Sequence, residues 1–215
     1  MRRPWLWLRR HWVRLAAHIA ALIPLGVLAW ELATTQFIVS PVKEVTIRTG
    51  RLGITFLLLS LACTPVATVT GFSRLLQARR PLGLWALAFV VLHVLAFAGW
   101  DYRFDPVLLR IGIFDQPFVL VGLSAFLILL ALGVTSFPGL QKSMGRSWRW
   151  LQRTVYLAGV LDVWHVLWIK KNAREAWRLP VILAVLLLFR LPPVQRLIVD
   201  VRKRITGKGS ERQTV

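Results

Sequence analysis

The sequence predicts an all-α integral membrane protein, a six-span transmembrane helical bundle. Three observations carry that prediction. The chain of 215 residues is 56% hydrophobic and only 17% charged, and it holds 11 tryptophans, a balance outside that of soluble domains. Its apolar residues fall in runs long enough to cross a bilayer, for which about 20 residues span about 30 Å of hydrocarbon. Its 28 lysines and arginines sit in short pieces between those runs.

Taken in order, the candidate spans are 12–31, 52–70, 82–100, 117–136, 148–169 and 179–197, followed by a basic tail over 198–215. The first run follows arginines, as in a signal peptide, but it is long and no small-x-small cleavage site ends it, so it reads as an uncleaved span. The second holds the only cysteine, Cys63, which fits a small core residue and leaves no internal disulfide or cysteine metal cluster. The third and fifth carry histidines within apolar sequence. The fourth is uninterrupted. The sixth is broken by Arg190, Pro192 and Pro193, which predicts a kink or a partly interfacial segment. Trp30, Trp100, Trp148, Trp150, Trp168 and Trp177 fall at span ends, where indole rings anchor to the interface.

Charge sets the expected orientation. With both termini inside, segments 1–14, 71–81, 138–153 and 190–215 contain 19 basic and two acidic residues, against nine and six on the outer side. The positive-inside rule therefore places the N- and C-termini in the cytoplasm. The contrary signal is the basic fifth-to-sixth connection, "KKNAREAWR". The net charge of +19 does not point to nucleic acid, because no amphipathic surface gathers it. The tail "RKRITGKGSERQTV" suits anionic headgroups.

All connections are short, so a single transmembrane domain covers 1–215. There is no phosphate loop, no nucleotide fold and no internal repeat of the kind that builds transporters. A nucleotide-dependent reaction would need a partner.

Ionisable residues within spans are functional candidates, because burying them without partners costs several kcal/mol. His93 lies about 20 Å along its helix from Arg80 and about 12 Å from Asp101; His165 lies about 24 Å from Arg149 and about 8 Å from Lys170. Both spans run outward, so the two imidazoles share a depth in the outer half. Facing imidazoles in an apolar bundle suit a bis-histidine haem, whereas zinc would need more ligands. Interhelical hydrogen bonding is the alternative. His18, on the first span, suits packing or contact with a quinone or flavin. His11 belongs to the solvated basic stretch. Asp162 shares a helix face with His165 and is a candidate to accept its second N–H, or to meet polar groups elsewhere in the bundle.

The segments "TGRLGITFLLLSLACTPV", "ARRPLGLWALAFVVLHVLAFAGWD" and "QPFVLVGLSAFLILLALGVTSF" with "MGRSWRWLQRTVYLAGVLDVWHVLW" resemble the MsrQ (YedZ) family over about residues 12–190. That family provides the haem-binding membrane subunit of the MsrPQ protein-methionine-sulfoxide reductase system, within the ferric-reductase-like transmembrane group. The resemblance implies a b-type cytochrome of the bacterial inner membrane, not itself an enzyme. It would pass electrons from the quinone pool, or a cytosolic flavin reductase, to a periplasmic molybdenum-containing catalytic subunit. It implies His93 and His165 as axial ligands, His18 as the first-span histidine, and an associated FMN of unassigned location. The sequence departs from many members at Gln152, where "WRWLQ" replaces a histidine. Gln152 is a poor iron ligand and the facing Arg79 and Arg80 cannot ligate iron, since a guanidinium stays protonated, so one haem b rather than two is expected; all three remain candidates for inner cofactor contacts. Two competitors stand beside this reading: an ion- or proton-coupled transporter without haem, and an assembly factor whose histidines only pack.

Overall fold

The computed structural model describes residues 4–34, 41–169 and 177–210. The basic connection 170–176, the first three residues and the end of the tail lie outside them. Among the described residues the ordered structure is helical throughout, without strands.

Helices α1 (Pro4–Ala33) and α2 (Pro41–Thr70) are the longest. A short 3-10 turn over Ser73–Ala78 leads into α3 (Arg79–Ala96), which loosens into a π turn at Phe97–Asp101. Next come α4 (Pro106–Phe114), α5 (Pro117–Val134), α6 (Pro138–Met144), α7 (Arg146–Arg153) and α8 (Val155–Ile169). The chain ends with α9 (Arg178–Leu188) and α10 (Pro192–Ser210). Proline opens α2, α4, α5, α6 and α10, the position where its missing N–H costs nothing.

Segments His11–Ala33, Lys43–Thr70, Ser73–Asp101 and Pro117–Val134 are long and apolar enough to cross a membrane, with mean hydropathy from 1.8 to 2.5. Helices α9 and α10 are bent by 73° and together could make one more. The expected fifth span is divided at Thr154, whose hydroxyl and N–H both turn back to the Leu151 carbonyl, at 2.7 and 2.9 Å. Helix α8 alone, with 15 residues, rises about 22 Å. A six-span count is compatible with this architecture.

Helix α2 starts well ahead of its apolar run. Arg48 pairs with Glu44 one turn earlier and with Glu31 on α1, so the polar opening "PVKEVTIRTGR" is held as helix. This extension brings Thr46 and Gly50 alongside α3.

The core joins α1, α2, α3, α5 and α8 through Val13, Phe56, Leu57, Phe89, Leu129, Leu132 and Ala158. Ala21, Ala86 and Ala158 are fully buried, small residues that let helix backbones approach where no hydrophobic force favours association in lipid. Cys63 is buried in this core. At the far end of α3, Arg103 and Phe104 adopt φ of 51° and 56°. Phe104 closes over Gly99 and Tyr102 over Gly112, positions where a Cβ would meet those rings at 2.8 and 2.3 Å.

Arg190 explains the broken sixth segment. Its guanidinium donates to the Tyr156 hydroxyl and to the Leu61 carbonyl, the latter at 2.7 Å, and lies 4.9 Å from the Tyr156 ring centre. The arginine at the bend therefore ties α9 and α10 to α2 and α8. Charged hydrogen bonds contribute about 1.5–3 kcal/mol each when partners would otherwise be stranded. Arg190→Met should lower the thermal midpoint of the detergent-purified protein; an unchanged midpoint would show that the tie carries no stability.

Candidate functional site: paired imidazoles

His93 on α3 faces α2, and its Nδ1 lies 2.8 Å from the Thr46 carbonyl oxygen. His165 on α8 faces α5, with Nδ1 2.7 Å from the Phe118 carbonyl oxygen. A carbonyl can only accept, so Nδ1 carries the proton in both rings and donates it. In the neutral ring that an apolar bundle favours, each Nε2 then keeps its lone pair.

The two rings face each other with centroids 6.3 Å apart and planes at 79°. Two metal–imidazole bonds of about 2 Å, plus about 1.2 Å from each ring centre to its nitrogen, place the centroids about 6.4 Å apart. The observed centroid spacing is therefore close to that of two imidazoles sharing one metal. No group of three or more His, Cys, Asp or Glu able to hold a metal exists among the described residues. The donor set is thus two neutral imidazoles, which suits a metal that brings its own equatorial ligands, as haem iron does, and does not suit zinc or a hard cation.

Asp162 does not take the second N–H of His165. The backbone carbonyl of Phe118, on the facing helix, occupies that position, and Asp162 Oδ2 is a buried oxygen without a hydrogen-bond partner.

His18 on α1 belongs to a different cluster. Trp85 Nε1–H donates to its Nδ1 at 2.9 Å, so its own proton sits on Nε2, the reverse of the paired histidines. The ring is exposed and Nε2–H points away from Trp85 as a donor. Trp85, Phe89 and His93 stand at i, i+4 and i+8 on one face of α3. His18 and Trp85 have centroids 6.2 Å apart, Trp85 and Phe89 6.1 Å, and Phe89 stacks on Phe56 at 5.3 Å. An aromatic file therefore leads from His18 towards His93. An apolar cleft of about 380 Å³ beside it is lined by Leu25, Leu84, Trp85, Ala88, Phe89 and Leu92. Trp85 and Phe89 make this file, and their spacing with His93 is visible in the sequence although neither carries an ionisable group that would single it out.

The inner-level candidates are engaged with backbone or side-chain groups of α2, α5 and the residues just after α5. Gln152 donates to the Leu132 carbonyl at 3.3 Å, Arg80 to the Ser136 carbonyl at 2.7 Å, and the Arg79 carbonyl accepts from Ser60 at 2.8 Å. No hydrogen bond among the described residues joins His18 to any of them.

A helical membrane bundle with two opposed, carbonyl-oriented imidazoles has the form of a transmembrane redox component. Residues 49–163 match the family described as ferric reductase like transmembrane component. The chain is 36% identical over 178 residues to the protein-methionine-sulfoxide reductase heme-binding subunit MsrQ of Herminiimonas arsenicoxydans, covering 80% of this chain and 81% of that one. It is 34% identical over 158 residues to the protein of the same name from Cronobacter sakazakii, covering 73% and 79%. The chain belongs to the MsrQ family of ferric-reductase-like membrane proteins.

Proposed function

We propose that this protein is a b-type cytochrome subunit that binds one haem through His93 and His165 and relays electrons across the bacterial inner membrane. The observation that supports this most is the 6.3 Å separation of two imidazoles whose Nδ1–H groups are both committed to carbonyls. A haem there supplies one-electron redox chemistry. His93 and His165 hold it; the Thr46 and Phe118 carbonyls fix the ring tautomers and raise the basicity of Nε2; the apolar faces of α2, α3, α5 and α8 exclude water. The electron acceptor in this reading is a periplasmic molybdenum-containing methionine sulfoxide reductase, which carries the catalytic site and repairs oxidised proteins. The donor is the quinone pool or a cytosolic flavin reductase. His18, exposed and with a free-facing Nε2–H opposite its Trp85 contact, suits a quinone or flavin carbonyl. FMN rests on family likeness alone.

One haem per chain is the expectation in this reading: at the other end of the bundle Gln152 and Arg80 donate to the Leu132 and Ser136 carbonyls, and no second imidazole pair stands among the described residues. A pyridine haemochrome assay should give about one b haem per chain; about two would refute this count.

Orientation rests on charge. Reporter fusions after Val215 should read as cytoplasmic and fusions near Leu108 as periplasmic. The opposite pattern would reverse the direction of electron flow.

A further inference from the structure

The two imidazole–carbonyl bonds are the same construction made twice. His93 and Thr46 are 47 residues apart, and so are His165 and Phe118. A glycine stands one helical turn after each accepting carbonyl, Gly50 after Thr46 and Gly122 after Phe118. The second set of three is the first displaced by 72 residues. The same displacement carries fully buried Ala86 onto fully buried Ala158, and buried Leu57 onto buried Leu129. Thus α2 with α3 and α5 with α8 hold their imidazoles in the same local arrangement, although their connections differ.

The glycines have a physical reason to be there. A helical side chain leans towards the N-terminus and covers the turn before its own Cα. A side chain at the fourth residue after a carbonyl therefore screens that carbonyl from a neighbouring helix. A Cβ on Gly50 would stand 3.0 Å from His93 Nδ1 and 3.2 Å from its Cε1. On Gly122 it would stand 2.7 Å from His165 Nδ1 and 2.8 Å from its Cε1. In each case the atom met is the one that donates to the carbonyl. Glycine inside a helix costs about 1 kcal/mol against alanine, so alanine would be favoured at both positions if the rings did not need the space.

We infer that Gly50 and Gly122 are paired positioning residues: each uncovers one backbone carbonyl so that it can hold an iron-ligating imidazole in its tautomer and orientation. This rests on the haem reading above.

The test compares Gly50→Ala, Gly122→Ala and Gly26→Ala in the purified full-length protein. Gly26 lies in helix α1 with nothing within 4 Å of a built Cβ, so its variant serves as the helix control. Haem per chain, the ferric electron paramagnetic resonance spectrum and the haem midpoint potential are read for the holoprotein, and the thermal midpoint for the apoprotein. Gly122→Ala is expected to retain haem about tenfold less tightly, the scale seen when a metal ligand loses its orienting partner, with a displaced signal and potential. Gly50→Ala should show a smaller displacement, as its contact is softer. Apoprotein midpoints should not fall, and Gly26→Ala should match the parent throughout. If Gly122→Ala does not insert, Gly50→Ala decides. Haem-loaded parent protein with both site variants unchanged in signal, potential and retention would overturn the assignment while leaving the haem reading intact. Parent protein that holds no haem would overturn both.

Discussion

Replacing His165 with alanine should give a protein that still inserts into the membrane but shows no low-spin b-type spectrum, and His93→Ala should do the same. In the proposed site either change would remove one of the two imidazoles that would hold the haem, and no other His, Cys or Met side chain among the described residues is placed to substitute. Cys63 lies in the core, donating to the Leu59 carbonyl, and Met144 ends α6. Each change also frees a carbonyl, Thr46 or Phe118, whose other lone pair still serves its helix; the fold should therefore survive. Difference spectra of dithionite-reduced against oxidised membranes give the answer. Low-spin spectra retained in both variants would remove these histidines from the site.

The second large effect should appear at His18. Its alanine variant is expected to keep the haem and its spectrum but to be reduced at least about tenfold more slowly by the native membrane donor, which corresponds to losing one hydrogen bond of about 1.4 kcal/mol. Trp85→Phe should shift the rate in the same direction, because the ring stays in the aromatic file while the N–H that orients His18 is lost. The separation along α3 from Trp85 to His93 is about 12 Å, short enough for an electron to tunnel through packed protein. Reduction by dithionite, which needs no membrane site, should be unaffected. Loss of the haem in His18→Ala would instead assign that residue to supporting ligation.

The helical class, the pairing of His93 with His165, and the break at Arg190 were legible in the sequence because each is written in side-chain chemistry: apolar runs, imidazoles at matched depth, and an arginine before two prolines. What escaped is backbone. Hydropathy reports immersion in lipid and not helix extent, so it placed the second span at 52–70 and gave no sign that Lys43, Glu44 and Arg48 belong to the same helix. That extension carries the carbonyl that holds His93. Asp162, on the same helix face as His165, was one candidate acceptor by spacing, yet a carbonyl on a neighbouring helix competes invisibly, since every residue has one. The break at Thr154 hid for a similar reason: a lone hydroxyl bonding back into its own turn leaves no mark on an apolar run. The matching of the two imidazole–carbonyl pairs was hidden as well, because a carbonyl leaves no mark in the sequence and only single residues, Gly50 with Gly122 and His93 with His165 among them, keep their identity across the 72-residue displacement.

The most direct measurement is electron paramagnetic resonance of the oxidised, haem-replete protein. Two neutral imidazoles on one iron give a low-spin ferric signal, and ring planes 79° apart leave the two iron orbitals that interact with them nearly equal in energy, which spreads the signal to an unusually large g value. The account predicts that signal from about one haem per chain. A high-spin signal, or no haem signal at all, would contradict it, and the latter would favour a transporter whose histidines serve protons rather than iron.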